Sequence, residues 1–476
     1  MPSNSSMKTS IFILLFTCTF NSIFSQSFHI TLIAPTYKKG TAYLTYYMGN
    51  NLNVEDSATV SNKGVAIFKG KRKLLPGVYV MVLPDKKHRL DFLIDKSQTI
   101  SLKIDTTDLI NKSTVTGSKE NELYTQYQKF TATKAVLLEK EKAAYTTSSS
   151  KSDSVLHENS YAKLNKEIND YRENILKKYP SSMLATLFIA MKEPVLPVQK
   201  PQTKSDSIEN YVYFKKHFWD GVTFMDNRII RTPFFIKKLE QYYRNLVILP
   251  DSIIKEADYQ LLLARNCPEM YQFLLNWLTD EFINPKYMGQ DAVFVHLFEK
   301  YHSKGLTNWL NKKQLEIISR RAYMLMANLI GEKAANLEMA DSLGKPMPLY
   351  DVKADYTIVC FWDPTCGHCK EEIPKLDSVF QSSWKKHNVK IYAVLTEDTK
   401  TEWVKYTQEH QLIDWVHVYQ NKEEAAKETA AQKPSYRQLY DITQTPTLYL
   451  LDKDKRIIAK KLSWQQLNEL LQIKWK

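Results

Sequence analysis

A chain of 476 residues is longer than one ordinary domain, and a hydrophobic share of 43% is enough to build two or three cores. Only 12 glycines, with no G-x-x-x-x-G-K-[ST] and no G-x-G-x-x-G run, exclude a glycine-rich phosphate-binding fold. The net charge of +13 raises nucleic acid or an anionic membrane surface as partners. However, the densest basic cluster, Lys69-Gly70-Lys71-Arg72-Lys73, has no interleaved aromatics and lies beside strand-like segments. It reads as a solvated hairpin face. Nucleic acid is therefore not expected, while association with a membrane surface stays open.

Residues 1–25 have the pattern of a secretory signal. Lys8 supplies the positive end, Ile11 to Phe20 the apolar stretch, and Ile23-Phe24-Ser25 a cleavage site ahead of Gln26. An apolar stretch of about ten residues is too short to span a bilayer. The expected location is the periplasm or cell envelope. An uncleaved anchor is the second reading. A lipid anchor on Cys18 is a minority reading, because bulky Phe16 and Thr17 suit lipoprotein cleavage poorly. Without Cys18, four cysteines remain, too few for a disulfide scaffold in a chain this long. Cys360, in an apolar run, and Cys267, in a helical context from Leu261 to Leu275, read as small core residues.

Residues 27–117 read as an all-β sandwich. Short runs rich in branched and aromatic residues (Phe28–Ile33, Thr41–Tyr47, Ala58–Val60, Val65–Lys69, Val78–Leu83, Leu90–Ile94, Thr99–Ile104) are separated by glycine, proline and asparagine turns. Residues 118–330 read as helical. Ser118 caps a first helix with Leu123, Tyr127 and Phe130 on one face, and the serine-rich stretch Thr146–Ser150 turns it into a second. The dense aromatics from Tyr211 to Trp277 read as core. No cluster of Cys, His and carboxylates has zinc spacing, so neither metal nor cofactor is expected.

Residues 331–476 read as α/β, strands alternating with helices. A hairpin around Asp341–Lys345 opens this part, and Tyr356–Trp362 is a buried strand. It runs through a short turn into Cys366-Gly367-His368-Cys369 and then helix. Two thiols at this spacing, the first at a helix N-terminus where free amides favour a thiolate, are the arrangement for thiol–disulfide exchange. Further on, Thr445-Pro446-Thr447 opens an apolar strand, a position where proline is permitted.

These two separated motifs, with Trp362 on the preceding strand, resemble the thioredoxin superfamily. Glu371-Glu372-Ile373-Pro374, the strand end Val394-Leu395-Thr396 and the long stretch Glu397 to Ile442 resemble its exported TlpA/ResA-like thiol–disulfide oxidoreductases. The β-rich start and helical middle resemble, more loosely, multidomain thioredoxin-like proteins of Bacteroidetes-type bacteria. The resemblance implies Cys366 as attacking thiolate, Cys369 as resolving thiol and Pro446 as a cis-proline beside them. It implies that Thr445 offers its backbone to an extended substrate and that Glu372 helps move the Cys369 proton. Trp362 and His368 complete the expected substrate-binding set. Thr365 stands where the family has a tryptophan, and Ala334-Ala335 where it has a proline.

The resemblance points to a reductant of protein disulfides or haem-attachment thiols, kept reduced by a membrane electron donor. The Gly-His dipeptide points instead to an isomerase or oxidant. A binding or scaffold protein, with the redox part accessory, is the rival reading from another class. Peroxide reduction is the weakest, since its cysteine motif is missing.

Overall fold

The computed structural model describes residues 28–475. The signal segment and Cys18 lie outside them. The described residues pack as two compact units, 28–222 with Asn227–Glu240, and Thr223–Asp226 with 241–475.

The first unit begins with β1 (Phe28–Ile33), β2 (Thr41–Met48), β3 (Asn51–Thr59), β4 (Val65–Gly70), β5 (Gly77–Val82), β6 (Arg89–Ile94), β7 (Thr99–Lys103) and β8 (Thr114–Thr116). They form two four-stranded sheets, ordered β4-β1-β7-β8 and β3-β2-β5-β6. Ile30, Leu32, Phe68 and Leu102 from one sheet meet Leu44, Tyr79, Met81 and Phe92 from the other in a single core. Two sheets sharing one apolar layer are a sandwich. The sequence reading placed only Ala58–Val60 in a strand, but β3 starts at Asn51. Pairing with β2 from Met48↔Asn51 to Thr41↔Thr59 holds this polar segment extended although its side chains face water. β8 is three residues long and leaves no periodic signal.

The helices follow as the capping residues direct. The Ser118 hydroxyl accepts from the Asn121 amide at the start of α1 (Lys119–Thr147), and the Ser150 hydroxyl from Asp153 at the start of α2 (Lys151–Lys178). The two form an αα-hairpin. Leu123, Tyr127 and Tyr171 pack on Phe188 of α3 (Met183–Met191). α4 (Lys204–His217) and α5 (Phe235–Gln241) complete this part. Tyr211 and Tyr213 of α4, read as core from the sequence, are exposed.

In the second unit, α6 (Pro250–Ala264), α7 (Pro268–Phe282), α8 (Asp291–Leu297) and α9 (Lys312–Met326) precede an α/β fold. Cys267 is not inside a helix. Pro268 cannot continue one, so the chain breaks there and Cys267 caps α7, half-buried rather than in the core. The α/β part runs β9 (Tyr356–Trp362), α10 (Gly367–Val379), β10 (Val389–Leu395), α11 (Lys400–Glu409), β11 (Val416–Tyr419), α12 (Lys422–Ala430), α13 (Tyr436–Leu439), β12 (Thr447–Asp452), β13 (Ile457–Lys460) and α14 (Trp464–Lys474). The sheet order is β11-β10-β9-β12-β13, with β9, β10 and β11 parallel and β12 and β13 antiparallel to their neighbours. Successive side chains of β9 enter opposite cores: Cys360 and Trp362 join one, Val359 and Phe361 the other. The opening hairpin is reduced to bridges from Ala340 to Pro346 and to Tyr419. Among the described residues no helix is long and apolar enough to cross a membrane.

In the first unit, two side chains of α1 bond the backbone of the edge strand β6: Gln128 donates to the Asp91 carbonyl at 3.4 Å, and Asn121 makes the closer contact. Asn121 is fully buried, its Oδ1 accepting from the Leu93 amide at 2.7 Å and its Nδ2 donating to the Leu93 carbonyl at 2.8 Å. Asn121→Ala leaves both backbone groups buried without a partner. A loss of about 2 kcal/mol in urea unfolding of the first unit is expected.

Candidate active site

β9 ends at Trp362, and a tight turn follows. The Asp363 carboxylate accepts from the Thr365 amide at 2.7 Å, from the Thr365 hydroxyl, and from the Thr399 hydroxyl at 2.6 Å. The Cys366 amide donates to the Asp363 carbonyl at 3.2 Å. Burial opposes ionisation of Asp363, but these hydrogen bonds outweigh it and hold its carboxyl below the usual range. The turn delivers Cys366 to the N-cap of α10 with extended backbone, φ −70° and ψ 127°.

At that position Cys366 is half-buried and its thiol pKa is lowered. The leading cause is a hydrogen bond from the Thr445 side chain, followed by the Cys369 amide, with the His368 amide contributing last. Cys366 Sγ also lies 3.6 Å from the Thr445 carbonyl. Cys369, one turn into the helix, is fully buried, and burial pushes its thiol up to about 12. The peptide bond between Thr445 and Pro446 is cis. A cleft of about 420 Å³ opens beside these residues, lined among others by His368, Glu372, Thr445, Pro446, Lys461 and Trp464.

The structure thus brings Cys366, Cys369, Thr445, Pro446, His368 and Glu372 to one place. Trp362 requires a correction. It is fully buried and packs edge-on against Tyr406, with ring centroids 5.4 Å apart. It supports the site from beneath and cannot touch a substrate. His368 acts on Cys366 through its amide, while its side chain is exposed on the cleft. The Glu372 carboxylate pairs with Lys375, Oε1 to Nζ 2.9 Å. Cys360 is fully buried and burial raises its thiol, which leaves it inert at neutral pH. Among the described residues no group of three or more His, Cys, Asp or Glu gathers as a metal site.

Sequence reasoning missed two residues that shape this site. Asp363-Pro364-Thr365 is a side-chain-closed turn legible in principle from its Asp-x-Thr spacing. Asp441 was not legible. It has a left-handed backbone, φ +48°, just before the loop to Pro446. Its buried carboxylate accepts from Arg321 of α9 at 2.6 Å and from Lys461 at 2.5 Å. Burial alone would raise its pKa, but the two cations lower it on balance.

Residues 330–460 match the AhpC/TSA family, and residues 28–124 match a domain of unknown function, DUF4369. The thiol–disulfide oxidoreductase ResA of Bacillus cereus is 24% identical over 141 residues, 30% of this chain and 74% of that one. ResA of Bacillus anthracis is 23% identical over 141 residues, again 30% of this chain and 74% of the relative. The C-terminal part of this chain belongs to the thioredoxin superfamily, in its ResA-like group. Among solved structures, a thioredoxin-like protein from Bacteroides caccae is 21% identical, spans 59% of this chain and 99% of its own, and has a TM-score of 0.45. A domain described as that of a possible thiol-disulfide isomerase from Cytophaga hutchinsonii is 37% identical over 31% of this chain and 97% of its own, with a TM-score of 0.27. As a ResA-like protein the chain is an oxidoreductase.

The two ResA-like thiols differ in solvation, and alkylation reads this directly. Iodoacetamide should modify Cys366 with a pH midpoint below that of a free cysteine, about 8.5. Its thiolate fraction rises as pH passes upward through the lowered pKa. Cys369 should stay unmodified across the same range, as peptide mapping would detect.

Proposed function

We propose that the chain is an exported thiol–disulfide oxidoreductase that reduces protein disulfides through Cys366 and Cys369. The observation that carries this reading is the unequal pair of thiols, one lowered at a helix N-terminus and the other buried with a pKa of about 12. The Cys366 thiolate attacks one sulfur of the substrate disulfide, forming a mixed disulfide and expelling the other sulfur as thiolate. Cys369 then loses its proton and attacks Cys366 Sγ, expelling the second substrate thiolate and closing the Cys366–Cys369 disulfide. Two electrons pass from protein to substrate. Thr445 and Pro446 form the wall along which an extended substrate adds its backbone, and His368 lines the cleft beside them.

Glu372 is assigned to the Cys369 proton. Its place in the cleft supports this role, and its ion pair with Lys375 keeps the carboxylate at the rim. Glu372→Gln should slow resolution of the mixed disulfide several-fold without changing the first attack, as stopped-flow kinetics with a model disulfide would separate. Equal slowing of both steps would remove Glu372 from the mechanism.

The organisation proposed with this function is a signal over 1–25, a sandwich over 27–117, a helical part over 118–330 and the redox part over 331–476. Export would place the enzyme in the periplasm or cell envelope, where a reductant needs a membrane electron donor to restore its thiols. An isomerase or oxidant is the second reading, favoured by the Gly367-His368 dipeptide and by the description of the Cytophaga hutchinsonii domain. The reduction potential in glutathione buffers decides between them. A value near that of thioredoxin, roughly −270 mV, is expected, and one near roughly −180 mV would establish the isomerase. Cys366→Ser should abolish reduction of insulin disulfides, and Cys369→Ser should accumulate the mixed disulfide. Retained activity in Cys366→Ser would overturn the assignment.

A further inference from the structure

Next to the cleft at Cys366, the second unit holds a larger cavity of about 720 Å³. Its walls are the loop after α7 with the start of α8, the side of α9, and the segment from β13 into α14. It adjoins the active-site cleft. Lys461 and Leu462 line both, and Thr443 of the larger cavity leads directly to Gln444 and Thr445 of the cleft.

The charges in the cavity are not balanced. Its two carboxylates are buried and already paired: Asp291 with Lys460, Asp441 with Arg321 and Lys461. Lys460 is fixed further by donating to the Asn328 carbonyl and side chain, both at 2.6 Å. Lys286 and Arg320 line the same cavity, are exposed, and have no carboxylate partner among the described residues. Around them Tyr287, Met288 and Ile317 expose large apolar surface, 61%, 43% and 44% respectively. Two free cations beside an adaptable apolar floor suit a polypeptide carrying an acidic residue next to an apolar one.

We propose that this cavity is the outer subsite of the substrate groove, where Lys286 and Arg320 bind an acidic, apolar-flanked segment of the polypeptide whose disulfide meets Cys366. The inference rests on the reading of the chain as a thiol–disulfide oxidoreductase acting on polypeptides. It assigns α7 to α9 a part in substrate selection. A small disulfide occupies only the inner cleft and gains nothing from the outer cations.

Two measurements on the full chain test it. The first uses binding alone. A cysteine-free peptide with a Leu-Glu-Glu segment is titrated by fluorescence anisotropy against the protein and against the double variant Lys286→Glu/Arg320→Glu. Its affinity should fall about tenfold in the variant, and a Leu-Lys-Lys peptide should gain. The second uses exchange. The same segments flanking a disulfide should show the loss in KM, with kcat, the rate on hydroxyethyl disulfide and the reduction potential unchanged. Both residues are exposed, and the milder Lys286→Gln/Arg320→Gln variant, checked by circular dichroism, guards against misfolding. Equal binding of acidic and basic segments by the unaltered protein, or unchanged binding by both variants, would overturn the subsite. Charge-dependent binding without reduction of any disulfide would overturn the redox reading and leave the subsite standing.

Discussion

The chemistry of this molecule depends on one asymmetry of solvation. Cys366 lies at the open mouth of a helix, half-buried and hydrogen-bonded with Thr445, its Sγ 3.6 Å from the Thr445 carbonyl. Cys369, on the same turn, is sealed beneath. A sulfur that ionises more readily than a free cysteine, beside one that ionises less readily, follows from burial and hydrogen bonding. Everything nearby keeps that asymmetry in place. Trp362 and Tyr406 close the floor under the helix, Asp363 fixes the turn that positions the N-cap, and the Thr445–Pro446 loop forms the wall.

Much of this was legible in the sequence because it is local. A strand feeding a helix through Cys-x-x-Cys spans a dozen residues, and its chemistry is set by the helix end it creates. Ser118 announced the first helix, since an N-cap is a short-range bond between a hydroxyl and an amide a turn away, and the serine-rich stretch Thr146–Ser150 announced the turn of the αα-hairpin. The sandwich was legible from alternation wherever one face of a strand is buried. It failed at β3, where no side chain is fully buried and pairing with β2 holds the polar segment extended.

The parts that were not legible are contacts between distant residues. Arg321 and Asp441 are 120 positions apart, and nothing local marks either as a partner of the other. Trp362 was assigned to the substrate surface because it adjoins the motif, but the pleat turns it inward. Cys267 was placed in a helix by the apolar pattern around it, against the steric veto of Pro268. In each case the determining constraint was direction or distance, which a pattern of residue types does not encode.

The ion pairs around Asp441 and Lys460 bear on whether the redox fold can be excised. A fragment starting after α9 would keep all five strands of its sheet and Asn328, yet it would lack Arg321 and Asp291. Asp441 would keep only Lys461, and the Lys460 ammonium would keep Asn328 but lose its paired carboxylate, Asp291. The loop ahead of Pro446 would then be tethered from one side. The helices of the second unit belong to the redox apparatus as its scaffold, and the smallest faithful version of the enzyme begins well before its cysteines.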